Sequence, residues 1–230
     1  MTNVEMITQM YHLQDTFNQK LFIDWETRGL RWKDAILAEA GEAISSFQSY
    51  KWWKHGTDDY ENYKVELVDI WHFVMSADTE DLFSLVKDGE LTDEMKEAIS
   101  ERDFSLYCKD MFEDIEFPKF ISKEKNFCLD QTHEIPKALY SGDPFEPVLT
   151  LLYAWTRTVG TIDELFKLYI GKNVLNEFRR THGYKEGTYK KVWDGKEDNV
   201  VMMELLEQME CNPEMFRDLL DRLEIVYATV

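Results

Sequence analysis

Apolar residues recur every three to four positions along most of the chain, which is the spacing of one face of an α-helix. Met6, Met10, Leu13 and Phe17 show this spacing near the N-terminus. No convincing pair of strands accompanies the helical pattern, so the expected fold class is all-α, a multi-helix bundle around one core. The pattern predicts helices over the following ranges: 2–23, 31–55, 58–87, 93–115, 148–170, 172–182 and 199–209.

The predicted helices are separated by segments rich in turn-forming residues. "KHGTDD" breaks the chain before the third helix, and "KDGELTD" ends that helix. Four prolines within 116–147 predict a loop with short helices. Gly183 suits a helix C-terminus and is followed by a turn-rich connector, while Asn212-Pro213 predicts the start of a last helix. We expect one domain over 1–230.

The composition is that of a globular protein with a sizeable core. The chain is 44% apolar and 14% aromatic, unlike a disordered acidic chain. Its net charge of −19 argues against DNA, RNA or anionic-membrane partners. Three cysteines without a CxxC pair are expected to be free thiols, and no apolar run approaches the ~20 residues that a membrane span needs. We therefore expect a cytoplasmic protein.

Two pairs of acidic residues lie on consecutive predicted helices. "EAGE" carries Glu39 and Glu42, and "VELVD" carries Glu66 and Asp69, each pair three residues apart. The second pair lies in a helix that is apolar all round, where an uncompensated carboxylate costs several kcal/mol. Four carboxylates converging from one helical hairpin would hold Mg²⁺ or Mn²⁺. The alternatives are a solvated acidic face for the first pair and a buried salt bridge for the second.

Positive charge is concentrated near the C-terminal end of this acidic chain. Lys172, Asn176 and Arg179 fall on one helical face, with Arg180 at its edge, and Tyr184 and three lysines follow. Arginine binds phosphate oxygens bidentately and lysine acts as a point charge, so this segment suits a polyphosphate. A solvated basic face is the alternative.

Together these motifs carry a resemblance to a known family. "EAGE" and "VELVD", followed by "KNVLNEFRRTHGYKEGTYKKVWDGKEDN", closely resemble the dimeric all-α dUTPases, which belong to the wider MazG-like group of nucleoside triphosphate pyrophosphatases. The likeness covers the first helix, the acidic hairpin and residues 150–199, whereas about 80–140 matches no motif and is interpreted as a variable insertion. It implies a MazG-like core with additional helices, a homodimer, and hydrolysis of dUTP to dUMP and pyrophosphate.

The resemblance also implies roles for individual residues. The four carboxylates match the family's Mg²⁺ ligands, and Glu42 also matches the acid that activates the attacking water. Gln14 and Asn18 match positions that read uracil, and Trp52, rather than Trp53, would pack beside the base. The remaining matched positions would hold the phosphates and sugar of a dUTP- or dUDP-type nucleotide: Lys172, Asn176, Arg179, Arg180, Tyr184, Lys185 and Lys191.

Other interpretations remain open from the sequence. A MazG-like relative could use the same metal site on another nucleotide such as dCTP, and an acidic helical interaction protein would use its carboxylates only in salt bridges. Without the family, Gln14 and Asn18 would be an exposed polar flank of the first helix, and Trp52 and Trp53 would pack in the core or against a second subunit.

Overall fold

The computed structural model describes residues 1–229 and confirms the all-α fold class. Within these residues the regular structure consists of ten α-helices, two short 3-10 helices (Trp25–Thr27 and Gln48–Tyr50) and one small hairpin. The first seven helices are α1 Asn3–Leu21, α2 Trp32–Ser46, α3 Tyr60–Asp88, α4 Asp93–Ser100, α5 Ser105–Phe112, α6 Lys125–Ala138 and α7 Glu146–Thr158. The remaining elements are α8 Ile162–Thr181, β1 Val192–Trp193, β2 Lys196–Glu197, α9 Asp198–Glu207 and α10 Met215–Tyr227.

The chain divides into two compact units. Residues 3–162 form one unit around α3, and residues 163–229 with Met1 and Thr2 form the other. Trp71 is fully buried in the first unit, as Trp193 is in the second. The expectation of a single domain stays a prediction. No helix within residues 1–229 combines the length and apolar character needed to cross a membrane.

The central helix, α3, begins and ends almost where the sequence predicts. The Asp59 side chain accepts a hydrogen bond from the Asn62 backbone N–H at 2.9 Å, which caps the first turn. Gly89 follows the last turn with φ 79°, a left-handed conformation that favours glycine. Between these caps Leu67, Val68, Ile70, Trp71, Val74 and Met75 are buried, whereas Val65 is 41% exposed, so the helix is buried over most but not all of its circumference.

Two predicted helices are shorter than their apolar pattern suggests. The helix expected over 31–55 ends at Ser46, because the Asp58 carboxylate accepts hydrogen bonds from the Ser49 backbone N–H and hydroxyl and folds the chain back. The helix expected over 93–115 is divided into α4 and α5, with Arg102 in the left-handed region at φ 62°. In both cases side-chain and turn contacts interrupt an otherwise helical pattern.

Further differences lie in the C-terminal half. The segment 116–147 contains a 14-residue helix, α6, because Pro136 falls in its last turn, where loss of one backbone hydrogen bond interrupts little. The helix expected over 148–170 ends at Thr158, and α8 then runs without a break through the second predicted boundary near residue 171. The last helix begins at Met215, and the Asn212 side chain accepts from the Glu214 N–H at 2.8 Å.

The hairpin is an element that the sequence analysis did not predict. Val192 pairs with Glu197 and Trp193 with Lys196 in an antiparallel register. The connecting residues Asp194 and Gly195 both have positive φ, 47° and 83°, as a tight hairpin turn of the mirror-image type requires. The Asp194-Gly195 dipeptide, which favours such turns, is the sequence feature that could have predicted the hairpin.

A buried carboxylate fastens α3 to two other helices. The hydroxyls of Tyr11 on α1 and Tyr107 on α5 donate to Asp78 Oδ2 at 2.6 and 2.7 Å. Asp78 is only 1% exposed. Burial raises the pKa of Asp78 from 3.8 to about 7, the two tyrosine hydrogen bonds oppose this rise, and the charges of Asp81 and Asp143 add to it. Above neutral pH, the ionised Asp78 carboxylate therefore destabilises the native state relative to the unfolded chain.

We expect Asp78→Asn to become progressively more favourable relative to the wild type as pH rises from about 4 to 7. The native state binds a proton here more tightly than the unfolded chain does, so this group favours folding at low pH and loses that contribution as pH rises through about 7. At most, the difference in free energy of unfolding between the two proteins changes by about 1.4 kcal/mol per pH unit. Urea denaturation of both proteins at pH 5 and pH 8 measures the difference. A difference that is the same at both pH values would contradict the proposed ionisation.

Candidate active site

Helices α2 and α3 form a hairpin that brings acidic side chains together. Helix α2 packs extensively against α3, and Ala40 and Ala43 of α2 are buried. Glu39 directly precedes Ala40 along α2, and Glu42 directly precedes Ala43. Carboxylate oxygens of Glu39, Glu42 and Glu66 all lie within 4.8 Å of one another. The structure thus brings three of the four predicted metal ligands into one group.

Glu66 is the most buried member of the group, with 8% of its surface exposed. Burial, and to a smaller extent the negative charges of Asp69, Glu42 and Glu39, raise the pKa of Glu66 from 4.5 to about 7, while the hydrogen bond from Asn62 opposes this rise. Asp69, which is half-buried on α3, therefore acts electrostatically on this group even though it is not within the 4.8 Å set. A like-charged arrangement of this kind is stabilised by a bound cation.

Asn62 orients Glu66 and was not identified from the sequence. Its side-chain Nδ2 donates to Glu66 Oε1 and to Ser46 Oγ, both at 2.9 Å. One amide therefore ties the end of α2 to the carboxylate one turn along α3. The available signal was the spacing, because residues four apart on a helix lie on the same face.

A second polar group connects α1 with α3. Gln14 Nε2 donates to Ser76 Oγ at 3.1 Å, and Asn18 Nδ2 donates to the same oxygen at 2.9 Å. Gln14 Nε2 also lies 3.1 Å from Asn18 Oδ1. Both amides are buried, at 7% and 6% exposure, so their interpretation as an exposed polar flank is wrong. Ser76, missed from the sequence, follows Asp69 by two helical turns, roughly 10 Å along the same face of α3.

Aromatic rings lie between the acidic and amide groups along α3. Phe73 is one turn beyond Asp69, and its ring centroid lies 6.3 Å from that of Trp32 at the start of α2. By contrast, Trp52 and Trp53 are 90% and 61% exposed, and their rings meet edge to face at 5.6 Å. Neither belongs to the core of this chain, and contact of Trp52 with a base stays a prediction.

In the second unit, the basic segment has an acidic partner that sequence analysis did not assign. Arg179 donates to Asp198 through Nε at 2.7 Å and through the second nitrogen of its fork at 2.8 Å, and the Tyr189 hydroxyl adds a bond of 2.7 Å. Burial alone would raise the pKa of the fully buried Asp198, but the bonds from Arg179 and Tyr189 lower it. These bonds hold Arg179 in one orientation. The alternative of a solvated basic helix face therefore does not describe Arg179.

The other predicted phosphate and sugar residues are mostly at the surface. Arg180 pairs with Glu177 at 2.6 Å, and Lys191 pairs with Glu197 at 3.2 Å. The half-exposed Tyr184 presents its ring to the Arg179 guanidinium at 5.6 Å. Lys172 is half-buried and Asn176 is exposed on α8, and Lys185, which follows the helix, is exposed. Val174, Leu175 and Phe178 form the buried side of α8, as predicted.

Comparison with known families adds an independent observation. A family model described as dUTPase matches residues 6–184. The match contains both polar groups of the first unit and α8, and it ends before Lys185 and Lys191. No curated protein matches this chain.

We expect Glu66→Gln to stabilise the metal-free protein at pH 8 by about 1 kcal/mol, after allowance for solvent screening. The raised pKa means that the charged form, which is present at pH 8, is disfavoured in the native state. The same variant should lose most of any thermal stabilisation that Mg²⁺ gives the wild type. Thermal unfolding with chelator and with Mg²⁺ measures both effects.

Glu61→Gln is a matched control, because Glu61 lies on the same helix with a 73% exposed side chain and pairs with Lys64. An unchanged response of Glu66→Gln to Mg²⁺ would exclude Glu66 as a ligand.

Proposed function

We propose that this chain, which belongs to the dUTPase family, hydrolyses dUTP to dUMP and pyrophosphate with a divalent cation held by Glu39, Glu42, Glu66 and Asp69. One observation carries the proposal: three carboxylates from α2 and α3 lie within 4.8 Å of one another beside a fourth. The activity would remove dUTP from the nucleotide pool and supply a precursor of dTMP.

The side chains fit Mg²⁺, with Mn²⁺ as the expected substitute. The donors are carboxylate oxygens, the hard ligands that both ions accept. Burial and the repulsion between the carboxylates raise the pKa of Glu66, as is expected of a site that a cation completes. When bound, the cation supplies charge neutralisation to phosphate oxygens and acidification of a water molecule.

We assign proton transfer to Glu42. Its side chain is the exposed member of the three-carboxylate group, whereas Glu66 is buried. An exposed carboxylate can accept the proton of a water molecule that approaches the phosphate from solvent. Asn62 holds Glu66 in place through its 2.9 Å hydrogen bond, so that the group keeps its shape during this step.

Gln14 and Asn18 supply base recognition in this proposal. Uracil presents both a donor and acceptors, and an amide can match either kind of group. Ser76 accepts hydrogen bonds from both amides, which limits their rotation and fixes the pattern that they offer. Phe73, on the same face of α3 and packed near Trp32, gives an apolar surface beside them, and Trp52 is proposed to cover the base.

Phosphate and sugar binding is assigned to the basic segment. The Asp198 carboxylate holds the Arg179 guanidinium bidentately, so that arginine is oriented before any ligand arrives. Lys172, Asn176, Arg180, Tyr184, Lys185 and Lys191 complete the proposed set. Arginine and lysine on α8 and the following connector suit the negative charge of a triphosphate.

We also propose a cytoplasmic homodimer without nucleic-acid or membrane partners. Cys108, Cys128 and Cys211 are free thiols, which agrees with a reducing compartment. Large apolar side chains remain at the surface, and a second subunit would cover such positions. They include Leu21 at 74%, Ile23 at 76% and Trp52 at 90% exposure.

Phosphate and pyrophosphate release from dUTP, dUDP, dCTP, dTTP and UTP, with Mg²⁺ and with chelator, tests the function. We expect Mg²⁺-dependent pyrophosphate release with a strong preference for dUTP. Preference for dCTP would instead favour a MazG-like pyrophosphatase of different specificity. Absence of hydrolysis, together with no thermal shift by a non-hydrolysable dUTP analogue, would favour an acidic interaction protein.

We expect Glu42→Gln to keep the fold and to lose turnover by a factor of at least ~10², because the amide cannot accept the water proton. Steady-state kinetics at saturating dUTP and Mg²⁺ measure this loss. Glu61→Gln, at an exposed position on α3, should retain wild-type turnover. Near-normal turnover of Glu42→Gln would remove Glu42 from the proton-transfer role.

A further inference from the structure

An arginine occupies a backbone position that glycine normally favours. Helix α4 ends in a turn in which the Arg102 N–H donates to the Ile99 carbonyl at 2.9 Å and the Asp103 N–H donates to the Ala98 carbonyl at 2.8 Å. This bonding pattern places its central residue in the left-handed region, and Arg102 has φ 62°. Any residue with a Cβ atom is strained there, so the side chain of Arg102 is expected to make contacts that offset the strain.

The Arg102 side chain joins three separate elements. One nitrogen of its guanidinium lies 2.5 Å from Asp15 Oδ1 on α1, and another lies 2.8 Å from Glu26 Oε1 in the short helix Trp25–Thr27. The guanidinium also lies 5.0 Å from the centroid of the Phe83 ring on α3. The planar fork of arginine is suited to holding two carboxylates at once, and lysine cannot reproduce that geometry.

Asp15 connects this arginine to the amide group that is proposed to read the base. Asp15 is 4% exposed, directly follows Gln14 and lies three residues before Asn18. It also accepts a hydrogen bond from Trp25 Nε1 at 3.0 Å. Arg102 therefore holds one flank of α1, while Ser76 contacts Gln14 and Asn18 on another. Loss of the arginine would leave a buried carboxylate with one fewer donor and would free α1 to shift.

We propose that Arg102 is a positioning residue for nucleotide selectivity, acting through Asp15 to hold Gln14 and Asn18 in register with α3. The inference rests on the proposed function, and it assigns a role to a residue of the segment of about 80–140, which the family model covers but in which the sequence analysis recognised no motif. The contacts described for Arg102 are with Asp15, Glu26 and Phe83, and not with the carboxylates of Glu39, Glu42, Glu66 or Asp69. Arg102 therefore sets base recognition, and the carboxylates of α2 and α3 carry the chemistry independently of it.

Three substitutions separate positioning from folding. Arg102→Gly removes the side chain and relieves the backbone strain, whereas Arg102→Ala removes the side chain and keeps the strain. Arg102→Lys keeps one charge but not the fork. We expect Arg102→Gly and Arg102→Ala to raise the KM for dUTP about tenfold with kcat within about threefold of the wild type, because binding is lost equally in the ground state and the transition state. Selectivity for dUTP over dCTP should fall about tenfold in both variants, and Arg102→Lys should lie between them and the wild type.

Thr132→Ala serves as a destabilised control in the same unit. Thr132 is buried in α6, where its hydroxyl donates to the Cys128 carbonyl at 2.9 Å. The hydrogen bonds described for Thr132 are with Cys128 and Tyr63, and neither residue belongs to α1. It should lower the melting temperature without changing selectivity. All kinetics are measured well below the melting temperature of the least stable variant.

The outcomes distinguish the inference from the function on which it rests. If Arg102→Gly folds and keeps wild-type KM and selectivity, or if the kinetic losses follow melting temperature and Thr132→Ala shows them too, Arg102 is only structural. If the wild type does not hydrolyse dUTP, the proposed function fails and the inference fails with it. Equal selectivity loss in the Gly and Ala variants, despite their different stability, supports the positioning role.

Discussion

Electrostatic repulsion within one helical hairpin is the constraint on which the site depends. Helix α2 packs against α3, and this packing places Glu39 and Glu42 beside the buried Glu66. The packing of the hairpin therefore both buries Glu66 and concentrates negative charge around it, and the two effects, burial first, raise the pKa of Glu66. Such an arrangement is unfavourable for folding alone, and binding of the proposed cation to the native state would offset that cost.

Helix α3 organises the first unit because different functions are spaced along it. Asn62 and Glu66 lie in its first turns, Ser76 receives the amides of α1, and Asp78 receives the hydroxyls of two tyrosines. Each contact joins α3 to another helix through a polar group that would be costly to bury without a partner. The residues proposed for metal binding and base recognition, together with Asp78, thus lie on successive turns of one helix.

The basic segment follows a similar rule in the second unit. The buried carboxylate of Asp198 fixes the Arg179 fork, and Tyr189 supports the same carboxylate. The hairpin β1–β2 immediately precedes Asp198. The turn-rich connector after Gly183 therefore contains regular structure next to the carboxylate that binds Arg179. An arginine whose orientation is already set loses little conformational freedom when a phosphate binds.

The sequence alone determined the fold class, the extent of α3 and the candidate carboxylates, because helical periodicity and the i, i+3 spacing are local properties. It did not determine where α2 ends, since the contacts of Asp58 that turn the chain are made by side chains beyond the helix. Nor did it reveal Asn62, Ser76 or Asp198, whose importance depends on which residues face them. Gln14 and Asn18 were interpretable as a solvated flank until packing buried them against Ser76. Only the tertiary structure decided those partners, because burial and hydrogen bonding between distant residues are not encoded in spacing.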